Sequence, residues 1–484
     1  MSESTTPSHN SHNAASLRRI LGFSCYQGFI YAIFYMGANK ALVLGGVAIE
    51  RADLLATLLG MVIAFCAMTA LPRLAGKILA SDAAIAACAA MLTAGAFAPR
   101  LSGSLDIAGV GLEAFLVGLP MAVLLVAWGR VLGMTSPRIA AWEIFASTGI
   151  AAAVCFIASF FGEGASIVLA VALPAASAGV LLVAGVGSAA CSRDLEYRKR
   201  TTTSADRDGS GVAALSRRML VGALMFGLAA GLMETFRSNP GASSTPTLPA
   251  TLLILSFFCV AALQSLRGAA EEERSLGTTY RIAILVMMAG FLFTPALYES
   301  GVPGEAIVLA GCLGLTAAFV ALFIAVSVLR GIDSAMAFCR GFGALYLGEA
   351  AGIAAGNVID GFGANAAVQH GMLAFAGLAA LIAYLFLFTE NDFRTLSAIV
   401  DAGSAEDAMH DAIVEQAGLS KREAEVLALA LRGRTNERIA QELVVAKSTV
   451  DTHLRRIYSK ADVHSRQELI DYGEKLIKNA TRKR

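Results

Sequence analysis

The stretch AIVLAGCLGLTAAFVALFIAVSVL, residues 306–329, contains no charged side chain. About 20 consecutive apolar residues are enough for a helix to cross the hydrocarbon core of a bilayer. Similar blocks recur along the chain, in which 56% of the 484 residues are hydrophobic and only 15% are charged. Soluble domains carry roughly a quarter charged residues. The composition therefore excludes an ordinary soluble protein and predicts a polytopic, all-α membrane protein.

The apolar blocks predict a bundle of twelve membrane-spanning helices. They lie near residues 21–38, 54–71, 83–98, 107–128, 139–161, 165–188, 219–236, 248–264, 282–298, 306–329, 335–357 and 366–388. A polar stretch at 189–218 divides them six and six. We therefore expect an N-terminal tail at 1–20 and a membrane domain at 21–388, with halves at 21–188 and 219–388.

Lys and Arg in the short loops predict the orientation, because these residues are retained on the cytoplasmic side. With twelve spans and the N-terminus inside, the inner loops and the 191–218 segment hold most of the basic residues. The outer loops then keep only Lys40, Arg51, Arg100 and Arg237. We expect a multi-pass protein of the bacterial cytoplasmic membrane with both termini in the cytoplasm.

Two six-helix halves joined by a basic cytoplasmic linker resemble the major facilitator transporters. That family carries a Gly-x-x-x-Asp-Arg-x-Gly-Arg/Lys-type turn between its second and third spans. Here the loop reads LPRLAGK (71–77), which keeps Arg73, Gly76 and Lys77 and lacks the aspartate. The resemblance implies a major-facilitator-like fold, and the altered loop weakens the expectation of transport.

The composition changes after residue 388. Residues 389–417 are polar and acidic, which predicts a linker with one short helix near 404–416. Residues 418–484 then hold fifteen Lys and Arg against nine Asp and Glu, whereas the whole chain has a net charge of only +1. The basic charge is concentrated in a separate C-terminal domain.

This C-terminal domain is predicted to contain four helices. Ser420 followed by Glu423 forms a capping box that opens the first helix, and Gly433 ends it. A short second helix covers about 436–443. The third buries Val450, Leu454 and Ile457, and the fourth covers about 466–477. Two helices joined by a short turn, with a polar and basic exposed face, are the geometry that places one helix in the DNA major groove.

These residues resemble the LuxR-type helix-turn-helix domain. The matching segments are LSxREaEVL at 419–427, GxTNxxIAxxL at 433–443 and STVxxHLxxIYxK at 448–460. The resemblance implies a homodimeric DNA-binding domain, with its dimer contact on the fourth helix near 468–475. The DNA-binding residues that it implies are Ser448, Asp451, Thr452 and Arg455 at the base edges, and Thr435, Lys447 and Arg456 near the phosphates.

Two positions depart from the family pattern. Asp451 stands where a basic residue is common, and its carboxylate could accept a hydrogen bond from cytosine N4. Asp462 replaces a glycine and is expected to adopt the left-handed conformation. The rival interpretation of the third helix is an amphipathic helix on anionic lipid headgroups. DNA is favoured, because the domain core occupies the apolar face and Asp451 interrupts the basic rim.

Ionisable residues inside predicted spans mark candidate functional positions, because a charge at the centre of a membrane is costly. Glu113, Glu349 and His370 form the candidate ligand site, and interhelical hydrogen bonding without a ligand is the alternative. Glu143 and Arg340 lie nearer the inner boundary and are expected to extend towards it. Glu234 and Arg237 lie at an outer span end, where either a salt bridge or an entrance is expected.

Small residues at fourfold spacing predict close helix packing. Gly348, Gly352 and Gly356 share one face of a span, and Gly227 with Gly231 repeats the spacing earlier. The motifs GxxxxGK, HExxH and GxSxG are absent from the sequence, and its eight cysteines form no CxxC pair. We therefore predict a non-enzymatic protein that needs neither a cofactor nor a metal ion.

The two parts together predict a membrane-anchored one-component transcription regulator. The membrane domain is expected to sense a small molecule or a membrane state, and the C-terminal domain to bind DNA as a dimer. The alternative is a major-facilitator-like transporter whose C-terminal domain regulates its own expression. Net substrate flux in proteoliposomes would favour the transporter.

Overall fold

The computed structural model describes most of the predicted helical regions. The described residues are 8–36, 42–44, 47–101, 107–135, 137–183, 209–235, 248–268, 282, 285–286, 288–291, 304–330, 333–361, 366–387, 409–410, 412–431, 433–443 and 445–482. Contacts divide the chain into two units. A membrane unit contains residues 1–196 and 206–397, and a C-terminal unit contains residues 398–484.

Long helices and one small hairpin make up the described part of the membrane unit. The helices are α1 Ser8–Phe34, α2 Ala52–Ala70, α3 Pro72–Leu79, α4 Asp82–Leu101, α5 Ile107–Glu113, α6 Leu119–Leu132, α7 Pro137–Ala158, α8 Glu163–Val183, α9 Gly209–Thr235, α10 Leu248–Gly268, α11 Gly304–Arg330, α12 Ser334–Gly361 and α13 Ala366–Leu387. A π-helical turn, Ala114–Gly118, joins α5 to α6. Strands β1 Leu42–Leu44 and β2 Val47–Ile49 pair antiparallel, with Leu42 opposite Ile49.

Eleven of the twelve predicted spans coincide with these helices, and the ninth, at 282–298, lies mostly outside the described residues. By length and composition, eight helices in the described residues are suited to cross a membrane, or nine if a bent pair counts as one span. That pair is α3 with α4, which meet at an angle of 82°. The chain is a multi-pass membrane protein.

Several helices begin before the predicted boundaries. α1 begins at Ser8, inside the predicted tail, and α9 begins at Gly209, inside the predicted linker. The sequence-based boundaries followed hydropathy, which falls at polar helix ends although the backbone remains helical. Basic residues assigned to loops, such as Arg19, are therefore part of helices.

Aromatic side chains fill the interior of the membrane unit. Trp128, Phe65, Phe145, Phe319 and Phe342 are among the largest fully buried side chains. α1 packs against α7 and α8, α2 packs against α12, and α7 packs against α10 and α11. Contacts of α2 with α12 and of α7 with α10 join the first half of the chain to the second. Large apolar side chains that remain exposed, such as Ile63, Phe161 and Phe257, have the character of a lipid-facing surface.

The two glycine patterns of the sequence pack against one another. A Cβ atom at Gly227 or Gly231 of α9 would overlap the carbonyl oxygen of Leu345 or Glu349 in α12. In turn, a Cβ atom at Gly348 or Gly352 would overlap carbonyl oxygens of α9. The backbones of α9 and α12 are therefore in direct contact. This α9–α12 seam confirms the packing interpretation of the glycine spacing.

The structure contradicts the prediction that Glu143 extends towards the membrane boundary. The side chain of Glu143 is fully buried, and its Oε1 lies 2.6 Å from Nη2 of Arg19. Arg19 Nε donates a second bond to Glu143 Oε2 at 2.8 Å, and Ser16 Oγ donates to Oε1 at 2.7 Å. The carboxylate stays inside the bundle because the early start of α1 supplies donors for both of its oxygens. Arg340 is exposed, near the start of α12.

The described part of the C-terminal unit contains four helices and a shorter helical segment that precedes them. They are α14 Lys421–Leu431, α15 Asn436–Leu443, α16 Lys447–Ala461 and α17 Arg466–Arg482. Residues 409–410 and 412–417 are also helical, and we call these two segments together the junction helix. Their shared core includes the fully buried Ile413, Val426, Leu427, Ile439, Val450, Ile457 and Leu469. The C-terminal unit thus has a hydrophobic core of its own.

Candidate DNA-binding face and membrane cluster

The third helix of the C-terminal unit, α16, has a buried and an exposed side. Val450 and Ile457 are fully buried, and Leu454 is 5% exposed. Ser448, Thr452, Arg455 and Arg456 are exposed, and Thr452 Oγ1 donates to Ser448 O at 2.8 Å. The predicted pattern is confirmed, with the apolar stripe in the core and a polar, basic stripe facing outward.

Three further predicted DNA-binding residues lie near the starts of α15 and α16. Asp451 is half-buried, and its Oδ1 accepts a bond from Asn436 Nδ2 at 2.7 Å. Lys447 is exposed and paired with Glu437, which raises the lysine pKa and lowers that of the carboxyl. Thr435 is exposed and precedes α15. Asp451 therefore also fastens α15 to α16, an intramolecular role that its position in the sequence did not predict.

Local backbone features hold this unit together. The backbone N–H of Ser420 donates to Glu423 Oε2 at 2.8 Å, which confirms the capping box. Gly433 has φ +77°, and Asp462 after α16 has φ 53° and ψ 48°. Both residues are left-handed, as predicted for helix ends. Arg466 was missed by sequence reasoning, and its Nε donates to Ala430 O at 2.9 Å at the end of α14.

Lys460 holds the Glu423 carboxylate against the core. Its Nζ lies 2.7 Å from Glu423 Oε2, and it also donates to Gly418 O at 3.1 Å. The lysine and the backbone N–H of Ser420 lower the pKa of Glu423 from 4.5 to about 2. Charge-assisted hydrogen bonds to a carboxylate favour its ionised form.

This pair predicts acid sensitivity of the C-terminal unit. Because the folded pKa lies below the unfolded one, the stabilisation is complete above pH 4.5 and is lost as the pH falls towards 2. In a fragment of residues 409–484, we expect Glu423→Gln to reduce the loss of unfolding free energy between pH 5 and pH 3, measured by urea denaturation. An equal loss in the wild-type and variant fragments would contradict the assignment.

The junction helix packs on α17. Ile413 is fully buried, and Met409, Val414 and Ala417 lie against the same core. A Cβ atom at Gly473 of α17 would overlap Met409 and would lie 2.9 Å from Ile413 Cδ1. His410 Nε2 lies 3.1 Å from Ala424 O of α14. The helix predicted within the linker thus contacts the α17 segment to which the family resemblance assigns the dimer contact.

A buried ion pair joins the two halves of the membrane unit. Nη2 of Arg51 lies 2.8 Å from Glu234 Oε2 of α9, with side chains 5% and 8% exposed. Arg51 Nη1 donates to Phe34 O at 2.8 Å, and Tyr35 OH donates to Glu234 Oε1 at 2.9 Å. The guanidinium lies 5.3 Å from the centroid of the Tyr35 ring. A salt bridge is one of the two outcomes expected at this span end, and Glu234 forms one with Arg51, whereas Arg237 lies outside the described residues. Arg51 stands in the turn before α2, in the loop where the sequence placed it, and its side chain is buried.

Two acidic side chains, Asp53 and Glu349, interact with this ion pair, and Thr57 lies one helical turn from Asp53 on α2. Asp53 and Glu349 both interact electrostatically with Arg51, and Glu349 also interacts with Glu234. Asp53 and Thr57 are each 1% exposed. We call Tyr35, Arg51, Asp53, Thr57, Glu234 and Glu349 the Arg51 cluster. Next to it, Asn357 of α12 accepts from Glu50 N at 2.6 Å and donates to Glu50 O at 3.1 Å.

The three residues of the predicted ligand site lie on three different helices, α5, α12 and α13. Glu349 belongs to the Arg51 cluster. Glu113 is buried at the end of α5, where the π-helical turn begins. His370 lies on α13, and its side chain is outside the described residues. Sequence reasoning missed Arg51, Asp53 and Thr57, because they flank the start of a span and carried no recognisable motif.

Comparisons with known proteins agree with the division of the chain into a membrane unit and a C-terminal unit. Residues 417–473 match the family described as "Bacterial regulatory proteins, luxR family". The C-terminal unit therefore contains a LuxR-type helix-turn-helix domain, which implies binding to DNA.

The membrane unit is similar to solved major facilitator structures. A proton:xylose symporter, XylE, matches at 13% identity and a TM-score of 0.49, covering 80% of this chain and 98% of that one. The human organic anion transporter MFSD10 matches at 13% identity and a TM-score of 0.47, covering 79% and 100%.

Proposed function

We propose that this protein is a membrane-anchored, non-enzymatic one-component transcription regulator of the bacterial inner membrane. Twelve spans hold it in the bilayer with both termini in the cytoplasm. Its membrane unit senses a small molecule or membrane state, and the C-terminal unit binds duplex DNA as a homodimer through α17. The observation that carries the proposal is the exposed Ser448, Thr452 and Arg455 stripe on α16, opposite its buried Val450 and Ile457.

Arg455→Ala tests the DNA face. We expect the variant to bind operator DNA about tenfold or more weakly, because a charge-assisted contact to a base or phosphate contributes ~1–3 kcal/mol. If Arg455 contacts a phosphate, the slope of log affinity against log salt falls by about one unit. Fluorescence anisotropy with DNA from the flank of the protein's own gene measures both quantities.

Arg422→Ala is the charge-matched control. Arg422 is exposed on α14 and pairs with Glu425, 2.5 Å away, outside the predicted DNA face. Equal weakening by both substitutions would indicate a general charge effect and contradict the assignment of α16. Footprinting the same DNA with the 409–484 fragment locates the operator.

The junction helix supports a route from the membrane unit to the DNA-binding unit. A ligand shifts an equilibrium only by its different affinities for two states, so the signal needs a structural element that differs between them. The junction helix ends at residue 417, where the match to the family begins, and it contacts α17 at Gly473. In this proposal the C-terminal folding unit begins at residue 409, and movement of the junction helix alters pairing of two α17 helices.

Ile413→Ala tests whether the junction helix is part of the folded unit. Truncating a fully buried isoleucine costs about 2–5 kcal/mol, so the 409–484 fragment should lose that much unfolding free energy in urea denaturation. Glu415→Ala, at an exposed position on the same helix, should change it little. Equal stability of the two variants would mean that residues 409–417 are only a linker.

A further inference from the structure

The Arg51 cluster contains more negative than positive side chains. Arg51 is 4% exposed and is the only cation in the cluster, whereas Asp53, Glu234 and Glu349 are carboxylic acids. Removing an ionised carboxylate from water is costly unless an opposite charge or a proton compensates it. One guanidinium balances only one of the three carboxylates, so the cluster calls for a further positive charge or a proton.

Unpartnered polar atoms lie in the same cluster. Asp53 Oδ1 and Thr57 Oγ1 are buried and have no hydrogen-bond partner among the residues that the structure describes, and the same holds for Arg51 Nε. Asp53 and Thr57 are four residues apart on α2, and so they lie on one face of that helix. Buried polar groups in proteins are nearly always hydrogen-bonded. Within the described part of the chain, the acceptors on α2 are therefore available to a donor that a bound ligand supplies.

We propose that the Arg51 cluster binds a small organic cation through its ammonium group, with Asp53 and Glu349 as anionic partners and Thr57 as a hydroxyl acceptor. This inference rests on the proposed sensing function and names the chemical class of its ligand. An ammonium group is a positive charge with three N–H donors. A metal ion fits less well, because no group of three metal-binding side chains occurs in the described part of the chain. An anion would be repelled by the carboxylates.

Titration of the full-length protein in detergent with ethanolammonium chloride tests the proposal. Ethylene glycol is the uncharged analogue, and sodium chloride controls for ionic strength. A ligand that binds only the folded state raises the thermal unfolding midpoint in a saturable way. We expect ethanolammonium to do so and the two controls not to. Equal responses to all three solutes, or no response to ethanolammonium, would overturn the proposal.

Isosteric variants locate the binding site. Asp53→Asn and Glu349→Gln should weaken ethanolammonium binding about tenfold or more, because each removes a charge-assisted hydrogen bond. Asp82→Asn, at an exposed carboxylate at the start of α4, should leave binding unchanged. Unfolding midpoints that depend on pH but not on ethanolammonium would show that the cluster takes only a proton, which contradicts an organic ligand.

Thr57→Val separates binding from stability. The substitution removes a buried hydroxyl that has no partner, so we expect the unliganded protein to unfold at the same or a higher temperature. Ethanolammonium binding should nevertheless weaken. Unchanged affinity in this variant would remove Thr57 from the site and contradict the proposed geometry.

These experiments distinguish a failure of the proposed ligand site from a failure of the proposed sensing function. Ethanolammonium binding that leaves operator affinity unchanged would support the site and contradict sensing through it. Absence of binding, together with Arg455-dependent operator binding, would contradict only the organic-cation proposal.

Discussion

Gly348→Val is expected to prevent the membrane unit from reaching its native packing. A Cβ atom at Gly348 would overlap the carbonyl oxygen of Leu224 and would lie 2.8 Å from its carbonyl carbon. The overlap is with backbone, which cannot rotate away, so α9 and α12 must separate. Overpacking in a core costs about 1–3 kcal/mol when side chains can adjust, and we expect a larger loss here. Fluorescence-detected size-exclusion chromatography and thermal unfolding of the detergent-solubilised protein measure it.

Gly179→Val is the matched control for the α9–α12 seam. Gly179 lies on α8 within the membrane unit, and a Cβ atom there would meet nothing within 4 Å. The same increase in side-chain volume should therefore leave folding and the unfolding midpoint nearly unchanged. A monodisperse Gly348→Val protein with a wild-type midpoint would contradict the backbone contact.

Breaking the ion pair between Arg51 and Glu234 is expected to have the second-largest effect. Removing one partner of a buried pair leaves an uncompensated charge and typically costs ~3–5 kcal/mol. Arg51→Met and Glu234→Gln should each lower the unfolding midpoint of the full-length protein strongly. The double variant should lose less than the two single losses combined, because no unpaired member of the pair remains.

Tyr35→Phe is the conservative comparison for this ion pair. It removes the hydroxyl that donates to Glu234 at 2.9 Å and leaves the guanidinium contact in place. Its effect should be smaller than that of Arg51→Met. Strictly additive losses in the Arg51 and Glu234 double variant would show that the two side chains do not interact across the halves.

Features set by local spacing were accessible from the sequence. The capping box at Ser420 and Glu423 and the buried stripe of α16 were predicted because each depends on residues within a few helical turns. The glycine spacing correctly predicted close packing. It did not identify the packing partner, because fourfold spacing describes one helix face and carries no information about the helix opposite.

Ion pairs between residues distant in the sequence could not be predicted in this way. Arg51 was assigned to a loop and does stand in the turn before α2, but the sequence did not show that the fold buries its side chain against Glu234 near the end of α9. Glu143 was predicted to extend towards the membrane boundary because its partner Arg19 had been counted as a residue of the N-terminal tail. In both cases the burial of a charge depends on a partner distant in sequence, which local hydropathy does not reveal.

The central claim is that a protein held in the membrane binds specific DNA through α16. Its most direct test is cross-linking of the intact protein in cells, purification of the membrane fraction and sequencing of the attached DNA. We predict discrete sites enriched with the wild-type protein and depleted with Arg455→Ala at equal protein levels. Equal DNA recovery from the two proteins, or enrichment only after the C-terminal unit has been cleaved from the membrane, would contradict the claim.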